Sequence, residues 1–110
     1  MVFLRFQFGS MQAIIKNNIQ EIERILKTHK VRKAYLFGSA TSSRFNELSD
    51  VDFLVTFKKV PFGEYAENYW SLEEALERLL QRKVDIVVEK TLTNPYLIKV
   101  INQTKTPIYE

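Results

Sequence analysis

Asp50 and Asp52 stand one residue apart at the head of an apolar run, Val51–Phe57. Side chains on an extended strand alternate between its faces, so this spacing aims both carboxylates the same way. Leu54 follows on their face, while Val51, Phe53 and Val55 point to the other. Two like charges held close together repel, and the repulsion raises one carboxyl pKa unless a cation sits between them. A divalent metal answers that need, and Mg²⁺ in particular is held by one or two carboxylates together with substrate phosphates. Asp85 opens a further apolar run, "DIVV", where an aspartate again requires a reason. With the two runs side by side, Asp50, Asp52 and Asp85 form a carboxylate cluster suited to one or two Mg²⁺ ions.

Upstream, "YLFGSATSS" carries a glycine and a serine where an apolar run stops. A glycine ending a strand lets backbone approach a ligand closely, and a serine at the start of a helical turn offers a hydroxyl and N–H groups to a phosphate. Gly38 and Ser39 are therefore candidates for a phosphate cradle beside the carboxylates. Cradle and metal-binding acids on consecutive elements point to phosphoryl or nucleotidyl transfer.

The elements that must position these residues can be read from periodicity. From Met11 to about Lys30, the residues Met11, Ile15, Ile19, Ile22 and Leu26 recur at helical spacing, which predicts one amphipathic helix with Ser10 as cap. Val31–Phe37, Val51–Phe57 and Val84–Val88 are short runs of branched and aromatic residues and predict strands. The polar stretch "SATSSRFNELSD" is a loop with room for one helical turn starting at Ser39. Tyr65 to Gln81 predicts a second helix whose inward face carries Tyr69, Leu72, Leu76 and Leu79, with Glu74 and Arg78 paired one turn apart. Asn94-Pro95 is a helix start, cap then first turn, and "TPIYE" offers a terminal strand. The expected fold is α/β (α+β), a small mixed sheet flanked by helices.

The 110 residues suit one domain, expected over residues 11–110, with residues 1–10 either an added edge strand or an extension ahead of Met11. A formal charge of +3 without a dense basic block does not indicate nucleic-acid binding. The chain has no cysteine, which rules out disulfides, a thiolate nucleophile and thiolate metal sites. No stretch reaches the roughly 20 apolar residues of a membrane span, so a cytoplasmic protein without membrane contact is expected. A fold this small has shallow clefts that a partner or oligomer must help to close.

Gly38-Ser39, ten residues, then Asp50-Val51-Asp52, with Asp85 on a later strand, resembles the Gly-Ser-x10-Asp-x-Asp signature of the DNA polymerase β-like nucleotidyltransferases. Size and element order look like the minimal nucleotidyltransferase branch, commonly encoded beside a helical HEPN-domain partner. The resemblance implies that Gly38 and Ser39 hold nucleotide phosphates and that Asp50 and Asp52 ligate Mg²⁺. It implies that Asp85 ligates metal or accepts the proton of the attacking hydroxyl. It further implies an antitoxin that transfers AMP from ATP to a tyrosine of a HEPN toxin. The chain departs from the "GSxARG" of many relatives, with Ser42-Ser43 in place of Arg-Gly and Arg44 one residue later.

Each candidate also has a plainer reading. Asp50 alone is an ordinary turn residue before a strand, His29 reads as a solvated helix-end histidine, and the acidic residues Glu73, Glu74 and Glu77 read as a solvated face. Tyr69 reads as core and Trp70 as a partly exposed surface. Two functions from different classes stay open: an Mg²⁺-dependent transferase, and a binding module that neutralises a HEPN partner by contact. A small-molecule acceptor is disfavoured because no second domain is there to form its pocket.

Overall fold

Strands β1 (Val31–Phe37), β2 (Val51–Phe57) and β3 (Val84–Val88) have the limits that their branched and aromatic residues predict, and β4 (Thr106–Tyr109) ends the chain. The computed structural model describes residues 13–41, 46 and 49–110. The expectations placed on residues 1–10, on the Ser10 cap and on Ser42, Ser43 and Arg44 lie outside the described residues.

The four strands form one mixed sheet in the order β3-β2-β1-β4. β1 runs antiparallel to both β2 and β4, whereas β2 and β3 are parallel. A parallel pair needs a crossover, and the segment between β2 and β3 supplies it as helix α3 (Tyr65–Leu80). Alternation sets the two faces: Val51, Phe53, Val55, Val84, Ile86 and Val88 join the main core. Leu54 lies on the opposite face in a small cluster with Phe37 and Ile101, with Val87 packed against it. A register shift between Val31 and Lys33 changes the phase of β1, which lets Val31 be buried with Ala34 and Leu36.

The main core lies under the helices that flank β1. The single helix expected from Met11 to Lys30 is instead broken, into α1 (Ala13–Asn17) and α2 (Ile19–Thr28). Asn18 causes the break: its Nδ2 donates to Ile14 O at 2.8 Å, taking the carbonyl its own N–H would use, and that N–H turns to Ile15 O at 3.1 Å. Ile15, Ile19, Ile22 and Leu26 are buried as their spacing predicts. In α3 the fully buried stripe is Leu72, Leu76 and Leu80, one residue on from the Leu79 expected; Leu79 and Tyr69 are only partly buried. Helix α3 stops at Leu80 because Gln81 adopts a left-handed φ of 55°.

Helix α4 (Pro95–Thr104) covers the other face. Asn94 caps it as expected, its side chain accepting from the N–H groups of Tyr96 at 2.9 Å and Leu97 at 3.3 Å. Asn94→Ala should cost about 1 kcal/mol, the usual worth of such a cap. Equilibrium denaturation is the check, and an unchanged midpoint would show that the cap is dispensable.

Candidate active site

The acids sit on the α4 face of the sheet because they share parity with Leu54 and Val87. The parallel register sets Asp52 directly beside Asp85. Neither is in the core, and both are half-buried. Asp50 departs from the expectation: β2 starts at Val51, so Asp50 belongs to the loop before the strand and strand alternation does not orient it. That loop end is tied down from β3's side of the sheet. Val51 N–H donates to Lys83 O at 3.0 Å, and Arg82 Nη1 donates to Asn46 O at 2.9 Å and to Ser49 O at 3.2 Å.

Gly38 closes against the pair. It ends β1 with a φ of +71°, the left-handed region that glycine enters freely. A Cβ on Gly38 would lie 2.7 Å from Asp52 Oδ2. The turn Gly38–Thr41 that follows is a single 3₁₀ turn, beginning one residue earlier than expected. Ser39 Oγ donates to Asp50 O at 3.4 Å, a long bond that nonetheless sets the serine beside the loop carrying Asp50. Thr41 Oγ1 donates back to Gly38 O at 2.8 Å.

The carboxylates influence one another as their register requires. Burial, the negative charges of Asp85 and then Asp50, and a hydrogen bond with Asp85 push the Asp52 carboxyl from its usual 3.8 up to about 6. A proton thus serves where a metal cation would serve better. Among the described residues no three acid or imidazole side chains are gathered closely enough to hold a metal as a set. The Asp52–Asp85 pair supplies hard oxygen donors whose repulsion a cation relieves, which fits the Mg²⁺ habit of binding one or two carboxylates and completing its shell with phosphate and water.

This shift has a pH consequence. In the folded chain Asp52 keeps its proton up to about 6, whereas unfolded it would lose it near 3.8. Below the lower value both states are protonated and the fold pays no penalty; the penalty grows as pH rises and is complete above the upper one. A cation must displace that proton, so Mg²⁺ affinity should rise as pH increases through about 6. Titration calorimetry with Mg²⁺ on either side of that value checks it; a pH-independent affinity would show that Asp52 is not where the ion binds.

Two residues at this site had no signal in the sequence. Thr104, the last residue of α4, accepts from Gly38 N–H at 2.9 Å and donates to Val100 O at 2.8 Å, fastening the glycine turn to the helix. Arg82 holds the loop before Asp50. Neither lies in a motif, and each acts through a backbone group brought near only by folding. Conversely, His29 is not simply solvated. Its Nδ1 lies 2.7 Å from Ile25 O and its Nε2 lies 3.0 Å from Ser71 Oγ, which joins α2 to α3. Tyr69 is positioned as a structural residue, its hydroxyl donating to Ile86 O at 2.7 Å, and Trp70 is 65% exposed.

A glycine turn facing paired acids across neighbouring strands defines a small nucleotidyltransferase, and the chain belongs to that family: the nucleotidyltransferase domain model matches residues 19–106. Among its relatives, a Methanocaldococcus jannaschii protein assigned as a protein adenylyltransferase is 37% identical over 90 residues, 81% of this chain and 89% of the relative. The protein adenylyltransferase MntA of Thermococcus cleftensis is 39% identical over 82 residues, 67% of this chain and 80% of the relative. In fold, the chain matches one from the solved complex of the tri-AMPylated Shewanella oneidensis HEPN toxin with MNT antitoxin. The TM-score is 0.60 at 22% identity, over 84% of this chain and 70% of that one. Among the described residues no helix is long and apolar enough to cross a membrane.

Proposed function

We propose that this chain transfers AMP from ATP to a tyrosine hydroxyl of a HEPN-domain toxin in the cytoplasm, and so acts as its antitoxin. The observation that carries the reading is the Asp52–Asp85 pair set side by side by the β2–β3 register, with Gly38 closed against it. The adenylyltransferase relatives and the fold shared with a HEPN toxin–antitoxin complex support the choice of nucleotide and acceptor.

In this reading Asp52 and Asp85 would hold Mg²⁺ with Asp50 adding its charge from the adjoining loop, and Gly38 and Ser39 would receive the ATP phosphates. When bound, the ion neutralises the triphosphate and lines up attacking and leaving oxygens. Gly38 contributes the absence of a side chain, so that phosphate can approach the backbone beside Asp52. Ser39 contributes its hydroxyl as a donor. The acceptor oxygen forms its bond to the α-phosphorus while the bond from that phosphorus to the bridging oxygen breaks, and pyrophosphate departs. Asp85, set side by side with Asp52 by the β2–β3 register, takes the hydroxyl proton.

One observation favours a second reading, a HEPN-binding antitoxin that works without catalysis: no three described acids are gathered into a chelating set. Intact-mass spectrometry separates the two. The HEPN partner, incubated with this chain, Mg²⁺ and ATP, should gain AMP-sized increments that peptide mapping places on tyrosine. A stable, neutralised complex with no mass gain would overturn the transferase reading in favour of the binding one.

A further inference from the structure

We propose that the cleft beyond the carboxyl ends of β2 and β3 binds a small phosphate-bearing anion, at a site separate from the carboxylates. β2 and β3 are the parallel pair of this sheet, and ligands of open α/β sheets favour the crevice outside the carboxyl ends of parallel strands. The acids lie at the amino ends of both strands. The four-residue step from Asp52 to Thr56 along β2 separates the two places by roughly 13 Å.

The cleft has a volume of about 270 Å³, near the lower end for small-ligand sites, and its lining contains Lys58, Lys59 and Lys90 but no carboxylate. Lys58 and Lys59 continue β2, and Lys90 follows β3, so the parallel register itself brings the three lysines to the lining of one cleft. None of them makes a salt bridge among the described residues. Glu89, next to Lys90 in the chain, is committed elsewhere: it accepts from Thr56 Oγ1 at 3.0 Å and pairs with Lys33 at 3.6 Å.

Tyr65 forms the aromatic wall. It packs edge-on against Phe57 with ring centroids 5.6 Å apart, and Lys90 Nζ lies 5.9 Å from its ring centre. The ring thus gathers one cation toward the mouth without neutralising it. Unpaired ammonium groups around a cavity, backed by an aromatic and apolar wall, select a compact anion with a polar head. Phosphate is the group that several lysines hold as point charges.

Residue-resolved ¹H–¹⁵N titration of the full chain, with EDTA present to exclude divalent metal, tests this with inorganic phosphate and with AMP in separate arms. Saturable shifts are expected at Thr56 to Lys59 and Val88 to Lys90. They should weaken by about tenfold or more in Lys58→Ala/Lys90→Ala and stay unchanged in Lys16→Ala/Lys99→Ala. Tighter binding of AMP than of phosphate would support a mononucleotide stacked on Tyr65, and equal binding would support recognition of the phosphate group alone. Shifts that never saturate, that weaken equally in both double variants, or that are confined to Gly38 and Ser39 would overturn the proposal. The variants alter exposed side chains, and unchanged circular dichroism confirms that each is folded.

Discussion

Asp52→Asn is expected to abolish nucleotidyl transfer and, at the same time, to raise the melting temperature at neutral pH. Under the proposed function, losing a carboxylate that would hold the metal removes several kcal/mol of charge stabilisation, on the order of 10³-fold in rate or more. The gain in stability arises from the same feature. Asp52 is half-buried beside Asp85 and within the field of Asp50, and these hold its carboxyl at about 6. Above that pH the folded chain carries a repulsion that an amide does not suffer. The gain should shrink as pH falls toward 3.8, where wild-type Asp52 is protonated in both folded and unfolded states. Calorimetric melting of both proteins in EDTA from about pH 4 to pH 7, with initial rates measured alongside, provides the check. A variant that is inactive and also less stable across the whole range would mean that Asp52 holds the fold together, and the assignment of a catalytic cost would fail.

Gly38→Ala should bring about a 10²-fold fall in kcat/KM with the sheet still folded. Two effects act at once. The left-handed φ of +71° is strained for any residue with a side chain, and the new methyl would stand 2.7 Å from Asp52 Oδ2. Asp52 must then swing away or the turn must lift, and a displacement near 1 Å at reacting groups is enough for a loss of that size. The turn has little freedom to adapt, because Thr104 on α4 fastens its N–H and Thr41 its carbonyl. Gly63→Ala is the control: a Cβ there meets nothing within 4 Å, and activity should be unaffected. Wild-type kinetics in Gly38→Ala would show that the close approach of glycine to Asp52 has no part in the reaction.

The strands were legible because a period of two, in short runs of Val, Ile, Leu and Phe, admits few alternatives. β1, β2 and β3 begin and end at the expected residues. The first helix breaks at Asn18, where periodicity runs on undisturbed but one amide side chain captures Ile14 O. The misplaced leucine of α3 has a similar origin. Leu79 and Leu80 are adjacent, and only the pitch of the helix against the sheet decides that Leu80 is the one sealed in.

For the site, residue type and spacing were enough to select Gly38, Ser39, Asp50, Asp52 and Asp85 as candidates, since paired acids in apolar runs and a glycine at a strand end are costly without a purpose. The sequence by itself also determined that Asp52 shares a face with Leu54, because a strand alternates wherever it goes. The tertiary structure decided the rest. The parallel pairing of β2 with β3 made Asp85 the neighbour of Asp52, and the crossover that permits it spans the whole of α3. The same pairing brought Lys58, Lys59 and Lys90 together at the far end of the sheet. Thr104 and Arg82 acquired their places through hydrogen bonds to backbone atoms 66 and at least 33 positions away. Such bonds depend on where the backbone goes and carry no signature in the residue types they join, whereas alternation and charge repulsion act between near neighbours and can be read directly from their order.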